Sequence, residues 1–271
     1  MRVRSLIFLA NILLGMSACA TDVQPRQTAA VPAPVVAVAA PALDFRAAPA
    51  SARNYLTAAA VNLYRLLPPP PEAGSAQERA ELDELLRLQA TRTPAAVQRA
   101  REDAAVSIFR FADALGNPPQ FTRQQLPLTT ELFERIVRDE SLFMNTAKDA
   151  FGRPRPFLTE KRLAPVVEMP PSASYPSGHT TWAVACGIVL ADMLPERRAQ
   201  IFARADEYAH NREVGGVHYP SDVSAGHLAG TALANELFHS PRFVDDEAAA
   251  AAELRQALGL PAPPRHQLYR H

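Results

Sequence analysis

Apolar positions recur along this chain with the period of a helix and nowhere with the alternation of a strand. Leu82, Leu85 and Leu86, joined by Gln89, share one side of a helix predicted over 76–91. A second helix is predicted over about 95–115, with Val97, Ala104, Ala105, Ile108, Phe111 and Leu115 on its inner face. A third, over about 129–149, repeats the pattern with Leu132, Phe133, Ile136, Val137, Phe143 and Met144. Residues 179–194 are apolar on nearly every face, which marks a core helix. At that length it is not a membrane span. Pro195 opens another helix through residue 210, NREVGGVHYPSD reads as a loop containing glycines, and a second core helix follows over 222–239. DDEAAAAAELRQAL reads as a peripheral C-terminal helix before a proline-rich tail. The fold class is therefore all-α: a single helical-bundle domain in which two core helices begin at the most polar motifs of the chain.

Proline punctuates this pattern. RLLPPPPEAGS at 65–75 is a rigid surface segment, GRPRPF at 152–157 stops the third helix, and 158–176 is loop. Residues 21–52, rich in Ala, Pro and Val, read as a semi-extended tether. Ahead of it stand a basic MRVR, an apolar SLIFLANILLGM and small residues, the layout of an export leader over 1–20. Two processing readings stay open. Ala18-Cys19-Ala20 suits a signal peptidase, and Met16-Ser17-Ala18-Cys19 resembles a lipobox in which Cys19 carries lipid. The predicted organisation is leader 1–20, linker 21–52, helical domain 53–245, and C-terminal helix and tail 246–271. Apart from Cys19 only Cys186 remains, so the domain has no internal disulfide and Cys186 reads as a small buried apolar residue.

Charge narrows the function classes. The 28 basic and 28 acidic residues cancel, which argues against a general nucleic-acid binder. The bases are almost all arginine; Lys148 and Lys161 are the two lysines. Three polar clusters fall at helix ends: Lys148 and Arg155 in KDAFGRPRP; Ser177, Gly178 and His179 in PSGH; and Arg212, His218 and Asp222 in NREVGGVHYPSD. Each has a plain structural reading. Lys148, Arg153 and Arg155 complement a helix dipole, Ser177 caps a helix, and Asp222 is a first-turn acid. Together they read differently. Gathering three permanent cations is costly unless an anion neutralises them. Backbone N–H groups at Gly178 and His179, with the Ser177 hydroxyl, form an anion site at a helix mouth, where glycine admits close approach. Such a cradle suits phosphoryl transfer. His210, His227, His239, His266 and His271 read as ordinary polar residues, Trp182 as core, and Tyr175 as lining for the leaving group.

Lys148-x6-Arg155-Pro156, Pro176-Ser177-Gly178-His179 and Arg212-x5-His218-x3-Asp222, in that order, resemble the three-part signature of the type-2 phosphatidic acid phosphatase superfamily. LLPPPPEAGS, SYPSGHT and GVHYPSDV resemble its bacterial class A non-specific acid phosphatases; the likeness spans about 60–240. One departure is Asn211, where that pattern has serine. The resemblance implies a metal-independent, cofactor-free acid phosphatase acting on small phosphomonoesters through a phosphohistidine, with transfer to other alcohols as a side activity. It implies His218 as nucleophile, Asp222 as its partner, and His179 as acid and then base. Lys148, Arg155, Ser177, Gly178 and Arg212 would hold the phosphoryl oxygens. The pH profile should be bell-shaped and lean acidic. The implied setting is the periplasm or cell envelope, with membrane attachment through Cys19 alone and assembly as a homo-oligomer. The alternatives are a vanadium-dependent haloperoxidase, a lipid phosphatase of the same superfamily, or a degenerate phosphate-binding protein.

Overall fold

A computed structural model describes residues 54–262. The leader, Cys19, the linker, and the tail with His266 and His271 lie outside the described residues. Nine α-helices and three short 3-10 turns are found among the described residues, with no strand.

The short α1 (Leu63–Leu66) precedes the proline run. Helix α2 (Ala76–Thr91) then starts at Ser75, whose Oγ accepts the Glu78 N–H at 3.1 Å, as an N-cap should. Helix α3 (Pro94–Glu102) is shorter than the apolar spacing predicts. The helix expected over 95–115 stops at Asp103 and continues as 3-10 turns at Ile108–Phe111 and Asp113–Leu115. The reason lies elsewhere in the chain. The fully buried Asp103 carboxylate accepts hydrogen bonds from Arg204, from Arg110 Nε at 3.1 Å and from Asn211 Nδ2 at 2.8 Å. Three partners fix one side chain, and local periodicity yields.

Helix α4 (Pro127–Phe151) is followed by the single turn α5 (Pro156–Thr159), which runs from the GRPRPF segment into the stretch read as loop. Helix α6 (Gly178–Met193) is the centre of the bundle and is buried almost throughout. It packs mainly on α7 (Arg198–Val214) and α8 (Pro220–Phe238), and also on α4 and α9 (Pro241–Ala257). The sequence reading ends the helix before α8 at residue 210. The structure carries α7 four residues further, so Asn211 and Arg212 sit on a helix rather than in a loop. Nor is α9 peripheral. Phe243, Ala250, Ala251 and Leu254 are buried, and the Glu253 carboxylate of α9 accepts the N–H groups of Leu128 (3.0 Å) and Thr129 (2.8 Å) at the start of α4. The boundary expected at 245/246 therefore cuts through α9. Alanines that look like a surface run let this helix lie close against its neighbour.

Helix α8 approaches α6 through two glycines one turn apart. A Cβ on Gly226 would lie 2.6 Å from Thr180 Cβ, and one on Gly230 would lie 2.6 Å from the Thr181 carbonyl oxygen. Gly230→Ala is expected to lower stability by roughly 1–3 kcal/mol, because it must spread two packed helices. Urea unfolding checks this: the midpoint should drop with an unchanged slope.

Candidate active site

The three polar clusters meet where α4 ends and α6 and α8 begin. The Ser177 N–H donates to the Asp222 carbonyl at 3.0 Å, so the two "YPS" helix starts lie side by side. Ser177 Oγ accepts from Thr180 N at 3.3 Å and Thr180 Oγ1 at 2.9 Å, and so caps α6. Gly178 also has a packing role that the sequence does not show. Its missing Cβ would meet Glu140 Oε1 at 3.1 Å and Met144 Cγ at 3.5 Å, so the glycine makes room for α4. Tyr175 differs from expectation: it is buried, its hydroxyl donates to the Pro68 carbonyl at 2.5 Å, and its ring meets Phe151 edge-on. Trp182 and Cys186 are buried in the core. His227 sits on α8 facing Asp206 at 3.9 Å, and His210 pairs with Glu213 at 3.3 Å.

The cations take different posts. Lys148, in the last turn of α4, donates to the carbonyls of Ala173 (2.8 Å), Ser174 (3.3 Å) and Pro176 (2.7 Å), and so anchors the loop that leads into α6. Arg155 donates from Nε to the Ser172 carbonyl at 2.9 Å and from Nη1 to the Val217 carbonyl at 2.9 Å. Arg212, only 2% exposed, has no hydrogen-bond partner for Nε or Nη1 among the described residues. An arginine buried with donors unused is costly, which makes it the strongest sign of an anion site here. Burial lowers all three: Arg155 to about 9, with Arg212 adding to the effect; Arg212 to about 10; and Lys148 well below the usual lysine range, with Arg155 contributing.

A turn after α7, closed by Val217 N–H to the Arg212 carbonyl at 3.2 Å, brings His218 back beside these cations. Its Nδ1 lies 3.2 Å from Asp222 Oδ2, and its Nε2 lies 2.8 Å from Arg155 Nη1. This fixes the tautomer. Guanidinium offers only donors, so Nε2 is the bare nitrogen and Nδ1 carries the proton toward Asp222. His179 Nε2 faces the Ala104 carbonyl at 3.1 Å, which accepts, so that nitrogen is protonated. Burial lowers both histidines well below the usual range. Arg155 and Lys148 add to the effect at His218, and Arg212 at His179.

Comparisons with known proteins give the family. A family model of the PAP2 superfamily matches residues 136–245. A non-specific acid phosphatase of Providencia stuartii is 30% identical over 194 residues, which are 68% of this chain and 77% of that protein. The chain belongs to the PAP2 superfamily. An acid phosphatase of Zymomonas mobilis subsp. mobilis is 32% identical over 201 residues, covering 70% of this chain and 75% of that protein. A bacterial vanadium-dependent iodoperoxidase shares the PAP2-type fold, with TM-score 0.51 and 20% identity. That match covers 65% of this chain and about half of that one, at 52%. The Asn211 departure from the superfamily pattern has a structural counterpart: its amide donates to Asp103 at 2.8 Å, tying the last turn of α7 to the end of α3.

Several site residues escape the sequence reading. Arg153, read as a charge at a helix end, binds Asp222 Oδ1 at 2.7 Å. Ser174 Oγ donates to Asp222 Oδ2. Glu140, buried beneath Gly178, has no hydrogen-bond partner for either carboxylate oxygen among the described residues. Burial pushes it up to about 8, against the pull of Lys148. Glu140 is thus protonated in acid. Its folded pKa lies above the ordinary 4.5, so its contribution is fully present below 4.5 and lost as pH rises through about 8. Glu247, pushed up to about 7 by burial, acts in the same direction. His179 and His218, lowered by burial, act in the opposite direction, so the contribution of Glu140 is read by difference: between pH 5 and 8 the wild type is expected to lose roughly 2–4 kcal/mol of stability relative to Glu140→Gln.

Proposed function

We propose that this chain is an acid phosphatase that hydrolyses small phosphomonoesters through a phosphohistidine on His218 Nε2. The observation that carries the reading is the bare Nε2, oriented by Asp222 through Nδ1 and set among buried cations. Nε2 attacks phosphorus and the ester P–O bond breaks. Arg155 Nη1 lets go of the His218 Nε2 lone pair as it turns to phosphorus and, with Lys148, Arg212 and the N–H groups at Gly178 and His179, stabilises the equatorial oxygens. His179 gives its proton to the leaving alkoxide. Nε2–H is committed to Ala104, so the proton that moves is on Nδ1. Water then attacks the phosphohistidine, His179 takes a proton from it, and phosphate leaves. Asp222 balances the positive charge on His218 throughout. An alcohol in place of water gives phosphotransfer.

The lowered histidines fit this order of events. His218 must be neutral to attack. A bound phosphate anion offsets the cations that lower His179 and lets it carry its proton. Activity on an aryl phosphate is expected to peak in acid and to survive EDTA. Collapse in EDTA would rule out the metal-free route, and vanadate-dependent halide oxidation by peroxide exceeding phosphatase activity would favour the peroxidase reading. No helix among the described residues is long and apolar enough to cross a membrane. The proposal places the enzyme in the cell envelope on the leader of residues 1–20, with Cys19 as a lipid anchor and a homo-oligomer as its assembly; mass spectrometry of the mature N-terminus reads the anchor directly.

A further inference from the structure

Arg153 and Glu81 have no part in the mechanism above, yet they form a buried, well-connected polar group beside the site. Arg153 is 4% exposed and Glu81 8%. Arg153 Nη1 donates to Asp222 Oδ1 and to Ser221 Oγ, both at 2.7 Å, and Nη2 donates to Glu81 Oε2 at 2.9 Å. Ser221 Oγ donates to the same Glu81 oxygen at 2.8 Å. The guanidinium carbon sits 3.7 Å over the ring of Tyr219, the residue after the nucleophile. Tyr219 OH donates in turn to Thr159 Oγ1 at 3.1 Å. Arg153 is thus held on its face by Tyr219, at one prong by Glu81 of α2, and at the other by the partner of His218.

We propose that Arg153 is a positioning residue for the His218–Asp222 pair, and that Glu81 makes α2 part of the catalytic apparatus by anchoring it. The inference rests on the phosphohistidine reading above. Asp222 Oδ2 already serves His218, Ser174 and the Tyr219 N–H. Oδ1 is therefore the handle by which the carboxylate can be turned, and Arg153 is the charged group that grips it. A guanidinium can span both carboxylates at once, Nη1 on Asp222 and Nη2 on Glu81, as a single ammonium does not. It also keeps the carboxylate ionised. Burial raises Asp222, Arg153 is the strongest influence pulling it down, and an Asp222 that gained a proton would no longer accept the Nδ1 proton fully. Lys148, Ser174 and the Tyr219 N–H act on Asp222 in the same direction.

A residue that merely holds the fold would not separate catalysis from binding, and a positioning residue does. In Arg153→Met the turnover number should fall up to about 100-fold, the cost of a slightly misplaced reacting group. The inhibition constant for inorganic phosphate, which reads Lys148, Arg155 and Arg212, should stay within about 2-fold, and the acid limb of kcat/KM should move to higher pH. Arg153→Lys can grip one carboxylate but not both, and should recover part of the rate. Glu81→Gln should act in the same direction with a smaller loss, and it decides the matter should the methionine variant fail to fold. Rapid-quench trapping of the phosphohistidine should show slower formation in each variant. Folded variants with wild-type turnover and pH profile, or an equal loss in phosphate affinity, would overturn this inference alone. A wild-type enzyme that traps no phosphohistidine would overturn the reading of His218 and this inference with it.

Discussion

His218→Ala is expected to reduce phosphomonoester turnover by about 10⁵-fold or more while leaving phosphate binding nearly intact. The two halves of that expectation come from different parts of the site. Alanine removes Nε2, so the bond to phosphorus has no donor. On the proposed mechanism water does not replace it, because His179 serves the leaving group in that step. The cradle does not depend on the ring. Lys148 is anchored to the carbonyls of Ala173, Ser174 and Pro176, Arg155 to Ser172 and Val217, and Arg212 belongs to α7. Inorganic phosphate should therefore still inhibit, or still raise the melting temperature of the variant. A phosphorylated intermediate, stable in alkali and labile in acid, should be trapped from the wild type and be absent from the variant. Near-wild-type hydrolysis by His218→Ala would remove His218 from the reaction.

The parts of this site legible in the chain are those written in local chemistry. Helix α6 is apolar on nearly every face, so its central position could be read without knowing its neighbours. The three motifs could be read because each packs its polar residues into a few positions at a helix end. What could not be read was set by contacts far along the chain. The third motif arginine lies on α7 because Asn211 is pulled to Asp103, 108 residues earlier, and the same carboxylate ends α3. Gly178 looks like a place for an anion to approach the chain, and nothing local shows that Glu140 and Met144 of α4 also fill the side where a Cβ would point. Arg153 stands two residues from Arg155 and looks like its equal, but the backbone sends one to Asp222 and the other to His218. Glu81 carries no local signal at all. A glutamate in the first half of a surface-capped helix is ordinary until Arg153 arrives from 72 residues away.

Asp222→Asn tests the orientation of the nucleophile with almost no change in shape, and is expected to cost about 10⁴-fold in turnover. The hydrogen-bond directions require it. Asp222 Oδ1 receives Arg153 Nη1 at 2.7 Å, a group that can only donate. An asparagine must turn its carbonyl oxygen to Arg153, which leaves its NH2 where Oδ2 stood. There it faces the Tyr219 N–H, which sat 2.9 Å from Oδ2, donor against donor. It also donates to His218 Nδ1, so the imidazole proton is driven to Nε2. The nucleophilic nitrogen is then protonated and points its N–H at Arg155, again donor against donor. The opposite amide flip restores Nδ1–H but sets NH2 against Arg153, so neither orientation recovers the native tautomer without breaking a buried contact. The charge that balances the phosphohistidine is lost in both. Phosphate inhibition should again survive, because Asp222 touches none of the cradle cations that hold the anion. Only the formation of the phosphohistidine should slow. If Asp222→Asn formed the intermediate at the wild-type rate, the tautomer would be set by Arg155 alone, and Asp222 would serve only to cap α8 through Tyr219.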